Sequence, residues 1–308
     1  MTRGPAPLFS VLIPTRDRPG QLERCVASLS ASAEVPGGFE VIVVDDGGSV
    51  DLEPILSPHR QRLDLTLLRR PHSGPGPARN AGAEHARGKM LALTDDDMLV
   101  EPGWLRALAE RAADEPGAAI GGRTLNAHPA NRYSRVSQWI SDRAHNHHNE
   151  GPEGPSFFAS NNLAVPADRY RDLGGFDPAF RTSEDRDFCG RWHESGAPMV
   201  DAKNAVAWHA RELDLASFWR QHFGYGRGAF AYHRARRARG VRVRGDFQAS
   251  FHLQAARETA RHSKRSPGDA LLILLWQLAN TAGFLREALA ALNPRGPRSR
   301  ALRRAETA

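Results

Sequence analysis

Residues 39–46, FEVIVVDD, decide the fold. A run of Val and Ile broken by one charge and closed by two carboxylates predicts a strand buried on both faces. A half-exposed strand would alternate apolar and polar residues instead. Upstream, FSVLIP (9–14) reads as a second buried strand. Between the two, Leu22, Val26 and Leu29 follow Pro19 at helical spacing. Downstream come LDLTLL (63–68), a strand, and ARNAGAEHA (78–86), a helix after the turn HSGPGP. MLALT (90–94) is a fourth strand, and Pro102 suits the first position of a helix through Trp104, Leu105 and Leu108. Strands separated by helices predict a mostly parallel, doubly wound α/β sheet. Such sheets bind ligands beyond the carboxyl ends of their strands, where Asp45, Asp46 and the run Asp95, Asp96, Asp97 fall.

The middle of the chain is less regular. RYSRVSQWI (132–140) reads as a helix, AHNHHNEGPEGP (144–155) as a polar Gly/Pro-rich loop, and FFASNNLAVP (157–166) as a strand. LGGFDPAF (173–180) is a turn. SEDRDFCGRWHESG (183–196) opens a helix at Ser183 with Glu184 and Asp185 in its first turn, and AVAWH (205–209) is strand-like.

The charge is unevenly spread. Residues 1–210 hold 23 Lys+Arg against 28 Asp+Glu, a net −5; residues 211–308 hold 19 against 7, a net +12. A mildly acidic body followed by a basic, partly apolar helical extension predicts an anionic partner for the extension. Arg residues there alternate with Phe223, Tyr225, Phe230 and Tyr232, and Ala270–Leu285 has no charge. Those sixteen residues fall short of the ~20 that usually span a bilayer. Peripheral association with an anionic membrane is therefore expected through 211–308, with nucleic acid the less favoured partner. Only Cys25 and Cys189 occur, which excludes a disulfide framework and favours a reducing cytosol. The first apolar run is too short for a signal peptide, so the expected location is cytoplasmic, at the inner face of the plasma membrane.

Three successive carboxylates at a strand end admit two readings. They are a solvated turn at a helix N-terminus, where acids are favoured, or they are built for a hard divalent cation with oxygen ligands. Asp45 and Asp46 carry the same ambiguity, because DDGG is strong turn chemistry. The helix-opening pair Glu184-Asp185 also suits plain capping.

Seven fragments in order, VLIPTRDRPGQLERCVASL, FEVIVVDDGG, GPGPARNAGAEHARG, LALTDDDMLVEPGWL, NNLAVP, LGGFDPAF and SEDRDF, resemble the family-2 nucleotide-sugar glycosyltransferases over roughly residues 8–210. The resemblance implies a GT-A fold, with a nucleotide-binding half (8–114) and an acceptor half (115–210) ahead of the extension 211–308. It implies metal-dependent, inverting transfer of a sugar from a UDP- or dTDP-sugar to a glycan, lipid-linked or small-molecule acceptor, in cell-envelope glycan or glycoconjugate synthesis. Residue by residue, it implies Asp97 as ligand to Mn²⁺ or Mg²⁺, with Asp95 on metal or ribose and Asp96 beside them. His209 would complete the metal site. Asp45 and Asp46 would meet the base, with Asp46 the better match; Pro14, Thr15 and Arg16 would line the base, and Arg79 would bind the nucleotide. Asp185 would be the general base and Glu184 would position the acceptor. The usual Gly-Ser after the second strand reads Gly47-Gly48-Ser49 here, a one-residue departure. GRWHE (190–194) lacks the Gln of the processive synthases' Q-x-x-R-W motif, which implies one sugar per encounter.

Two rivals remain at this level. A nucleotidyltransferase would need a Gly-rich basic loop after the first strand, where PTRDRPGQ has a single Gly. A non-catalytic basic adaptor would leave the carboxylate groups without a role. The histidines at 145, 147 and 148 suit a mobile acceptor-side loop better than a metal site.

Overall fold

A computed structural model describes residues 5–32, 35–152, 154–241 and 266–292. Its sheet holds β1 (Phe9–Thr15), β2 (Phe39–Asp46), β3 (Asp64–Arg70), β4 (Met90–Thr94), β5 (Met98–Val100), β6 (Ala119–Asn126), β7 (Asn162–Pro166) and β8 (Met199–His209). The helices are α1 (Pro19–Ala31), α2 (Glu53–Leu56), α3 (Pro75–His85), α4 (Trp104–Asp114), α5 (Arg132–Asn149), α6 (Ala167–Asp172), α7 (Glu184–Glu194), α8 (Leu215–Ala238) and α9 (Pro267–Leu292).

The strand order is β3-β2-β1-β4-β7-β6-β8-β5. β3, β2, β1 and β4 are mutually parallel, with Thr15 in register with Asp45, as the βαβ pattern predicts. Beyond β4 the sheet is mixed: β7 is antiparallel to both neighbours, β6 and β8 are parallel, and β5 is antiparallel to β8. Val11, Ile13, Val41 and Val43 are fully buried, and α1 covers them with Leu22, Cys25, Val26 and Leu29.

Several local readings need correction. Residues 144–149 are helical, because α5 continues to Asn149 and no glycine or proline interrupts it before Gly151. Only Asn162–Pro166 of the stretch 157–166 is strand; just upstream, the amides of Ser156 and Phe157 donate to Asn149 Oδ1. Pro102 does not begin α4, which starts at Trp104, because Met98–Val100 first pairs with β8. Helix α7 begins at Glu184, after Ser183 takes a left-handed φ of 62°.

The chain divides into two compact units. One comprises Met1–Ala127, His148–Pro178 and Phe188–Arg211; the other comprises His128–His147, Ala179–Asp187 and Glu212–Ala308. The second unit thus draws on two earlier segments besides the basic tail. Its core joins Val136, Ile140, Leu213, Phe218, Leu272, Ile273 and Trp276. Helix α8 starts at a capping box in which Asp214 and Ser217 satisfy each other's backbone amides. Glycines let α8 and α9 touch backbone to backbone: a Cβ on Gly226 would lie 1.9 Å from Asn280 O, and one on Gly283 2.0 Å from Phe223 O.

Candidate active site

The carboxyl ends of β1, β2 and β4 gather most of the residues singled out from the sequence. Asp95, Asp96 and Asp97 follow β4 in a tight turn closed by the Met98 amide donating to Asp95 O. Asp96 is buried; its Oδ2 accepts from Thr15 Oγ1 at 2.7 Å and its Oδ1 from Arg18 at 3.1 Å. The same guanidinium lies 3.7 Å from Asp97 Oδ2. Asp95 is a third exposed and pairs with the buried Arg79, whose guanidinium also lies over the Phe176 ring.

Strand pairing delivers His209. Met98 of β5 is in register with His209 of β8, and the amide of Ala210 donates to Asp97 O at 2.7 Å. The imidazole Nε2 therefore comes 3.5 Å from Asp97 Oδ1. A strand of three residues has too little sequence to show periodicity, yet it places this contact.

The electrostatics follow from crowding. Burial, then the neighbouring Asp97 charge, raises Asp96 to about 6. Burial also pushes Asp97 upward, but the hydrogen bond and charge of His209, with Arg18 and Arg211, hold it below the usual carboxylate range. Burial would lower His209; its hydrogen bond with Asp97 and the charges of Asp97 and Asp95 outweigh that and raise it. Burial and the same three carboxylates push the Cys25 thiol well above its usual value, so this buried cysteine, whose Sγ lies 3.3 Å from Asp95 O, is held as the thiol.

Arg18 was not singled out from the sequence. It occupies the N-cap position of α1, where the helix dipole disfavours a cation. A cation in that place signals anions nearby, and this was the clue available in TRDRPG.

Asp45 and Asp46, both buried at the end of β2, differ in what they hold. Both oxygens of Asp46 are taken by the loop after β3: Oδ2 by His72 Nδ1 at 2.7 Å and the Gly74 amide at 2.8 Å, Oδ1 by the Ser73 amide at 2.9 Å. Asp45 Oδ1 accepts from the Gly48 amide at 2.8 Å, and Oδ2 has no protein donor among the described residues. The double glycine now has a physical reason. Gly47 has φ 75° and would place a Cβ 2.6 Å from His72 N, while a Cβ on Gly48 would meet Asp45 Oδ1 at 2.8 Å. Ser49 then donates through its amide and hydroxyl to Asp17 Oδ1, at 2.6 and 3.0 Å, tying the β1 loop to the β2 loop. Pro14 is buried in β1, Thr15 directs its hydroxyl to Asp96, and Arg16 is about half exposed with Nε 3.8 Å from Asp17.

Glu184 and Asp185 belong to the second unit, where α8 fixes their segment. Thr182 Oγ1 donates to Gly224 O at 2.9 Å, and a Cβ on Gly228 would lie 2.2 Å from Ser183 Oγ. Glu184 is buried, Asp185 Oδ1 accepts from the Arg186 amide at 2.8 Å, and the Arg186 guanidinium sits 5.0 Å over the Tyr232 ring. Asp187, also buried, pairs with Arg239 at 2.8 Å. The glycines of FGYGRGAF are the sequence trace of this packing.

The residues fit a hard divalent cation in donor type, carboxylate oxygen with one imidazole. Among the described residues no three His, Cys, Asp or Glu side chains already converge as a metal cage. His145, His147 and His148 lie on α5, and they form no such cage among the described residues either.

The description "Glycosyl transferase family 2" matches residues 10–165, just over half of the chain. The pre-mycofactocin glycosyltransferase of Mycobacterium tuberculosis (strain CDC 1551 / Oshkosh) is 29% identical over 231 residues, 71% of this chain and 46% of that protein. The validoxylamine A glucosyltransferase of Streptomyces hygroscopicus subsp. limoneus is 28% identical over 230 residues, 65% of this chain and 51% of that protein. The chain thus spans about half the length of these curated relatives. Among solved structures, the mannosyltransferase PcManGT from Pyrobaculum calidifontis, in complex with GDP-Man and Mn²⁺, superposes with a TM-score of 0.65 at 16% identity, covering 94% of this chain and 88% of the other. The TarS 1–349 structure from S. aureus with UDP-GlcNAc gives 0.54 at 17% identity, covering 84% and 73%. With a GT-A fold, its carboxylates at the strand ends, and a family match spanning half its length, this chain belongs to glycosyl transferase family 2.

Proposed function

We propose that this chain is a divalent-metal-dependent, inverting glycosyltransferase that moves one hexose per encounter from a UDP- or dTDP-sugar to an acceptor hydroxyl. The observation that carries the reading is the Asp95–Asp97 run at the end of β4, with His209, Arg18 and Arg79 around it. Names of relatives support the reaction class, and a neighbour solved with GDP-Man and Mn²⁺ supports a nucleotide-sugar donor with a cation. The family match leaves the nucleotidyltransferase reading without support.

Asp97, Asp95 and His209 would hold Mn²⁺ or Mg²⁺, and when bound the cation supplies charge neutralisation to the leaving diphosphate. Arg79 and Arg18 add fixed positive charge at the same place. Asp45 accepts the imide N–H of the base through the oxygen that has no protein donor, and Asp46 keeps the loop after β3 in place. In transfer, the acceptor oxygen bonds to the anomeric carbon as the bond from that carbon to the diphosphate oxygen breaks. The acceptor proton passes to Asp185, which requires a carboxylate within hydrogen-bond reach. Glu184 positions the acceptor.

Isothermal titration of UDP, dTDP and GDP, with and without Mn²⁺, tests this reading on the full chain and on Asp97→Ala. The expected result is Mn²⁺-dependent diphosphate binding that the variant loses. Absence of binding for every nucleotide would overturn the proposal and bring the non-catalytic adaptor forward.

A further inference from the structure

Helix α9 is apolar on two opposite sides. One side packs inward through Leu272, Ile273, Trp276, Ala279 and Gly283. The other is a stripe of Leu271, Leu274, Leu278, Leu285, Leu289 and Leu292, each 50–79% exposed. At 100° per residue these six fall within about 60° of arc, centred roughly opposite the buried side, and the stripe runs about 32 Å along the helix. Six exposed leucines on one line are more than scattered surface apolarity.

The adjoining end of α8 extends this surface. Leu215 and Trp219 are 53% and 37% exposed, and with Ala216, Arg220 and Leu275 they line an open apolar cleft. Helix α8 carries Arg220, Arg227, Arg234, Arg236 and Arg237 and no acidic residue. The whole segment 211–308 has 19 basic residues against 7 acidic ones. We infer that the leucine stripe of α9 is a docking face for an anionic lipid bilayer, on which the helix lies flat at the boundary between headgroups and acyl chains.

Charge selects the occupant. Two copies of this chain meeting stripe to stripe would bring together two segments of net charge +12. An anionic lipid surface attracts the same charge, which α8 and the rest of 211–308 supply, since α9 itself carries only Asp269, Arg286 and Glu287.

Packing decides between lying and spanning. By length and composition α9 is apolar enough to cross a membrane. It is nevertheless joined to α8 along its length, by backbone contact at Gly226 and Gly283, by the Phe230–Phe284 ring pair at 5.3 Å, and by Arg227 Nε to Glu287 at 2.6 Å. A spanning α9 would draw five arginines into hydrocarbon or tear these contacts apart.

Flotation of the full chain with vesicles tests the inference. Phosphatidylglycerol vesicles are compared with phosphatidylcholine vesicles, for the natural chain and for the exposed-site variant Leu278→Gln/Leu285→Gln/Leu289→Gln. Expected are binding to phosphatidylglycerol vesicles, at least tenfold weaker binding to phosphatidylcholine, and a loss of tenfold or more in the variant while its circular dichroism is unchanged. Undiminished binding by the variant would show that charge alone binds lipid and would overturn the assigned face. No vesicle binding, together with a dimer in sedimentation that the variant loses, would overturn it in favour of a second copy.

Discussion

Acid should destabilise the second unit through one side chain, His222. It lies in α8, 1% exposed, with the Phe218 ring 4.4 Å away edge-on and the Tyr225 ring at 5.7 Å. Neither ring nitrogen has a hydrogen-bond partner. Burial is the sole cause that lowers its pKa from 6.5 to about 4. Well above pH 6.5 neither the folded nor the unfolded chain carries the proton, and His222 costs almost nothing through titration. As the pH falls below 6.5 the unfolded chain takes up the proton first, while the folded chain refuses it until about pH 4. Stability is therefore lost across that window, by about 2 kcal/mol at pH 5 and about 3 kcal/mol below pH 4. The assay is urea unfolding of the full chain at pH 7.5, 6.5, 5.5 and 5, for the natural chain and for His222→Leu. Carboxylates elsewhere contribute equally to both, so the difference isolates the imidazole. On going from pH 7.5 to 5 the variant should gain about 2 kcal/mol relative to the natural chain. Parallel pH profiles would refute the reasoning and mean that His222 reaches water or a partner when folded.

Two further outcomes are expected. Asn162 accepts from the Trp104 indole at 2.8 Å and donates to Ala205 O at 3.1 Å inside the core, so Asn162→Leu strands two buried polar groups at nearly constant volume. A loss of about 2–4 kcal/mol in urea unfolding should follow, and a loss under about 1 kcal/mol would contradict the assigned link. Asp185→Asn should lower the sugar-transfer rate by about 10²–10⁴-fold with the nucleotide dissociation constant unchanged, measured by turnover and titration in parallel. Weakened nucleotide binding instead would argue against a role as general base.

Much of the fold was legible because strands β1, β2 and β4 are built from contiguous apolar runs, and burial on both faces demands such runs. The residues chosen for the inner faces of α1 and α4 are buried as the spacing requires. The second half was harder to read for definite reasons. β5 is three residues long, and β6 (AIGGRTLN) carries a double glycine that weakens any strand pattern. That pair has a tertiary cause: a Cβ on Gly121 would lie 1.9 Å from the Phe158 ring, and one on Gly122 2.2 Å from Asn162 Oδ1. The polar end of α5 resembles a loop because helices need only an unbroken backbone ladder, not apolar residues, to continue.

By itself the sequence determined the α/β class, the carboxylates at strand ends and the basic, leucine-rich tail. These depend on residue type and spacing along a single element, and burial and charge read those directly. Tertiary structure alone decided which carboxylate is spoken for. Asp46 is satisfied by donors 26 to 28 residues away and Asp45 by one three residues away, so two adjacent, identical side chains acquire different chemistry. It also decided that Arg18 sits against Asp96 and Asp97, 78 and 79 positions along the chain, and that the uncharged stretch of α9 divides into a packed side and a leucine stripe. Hydrogen-bond occupancy and solvent exposure are properties of what surrounds a group, and for these groups the surroundings come from elsewhere in the chain.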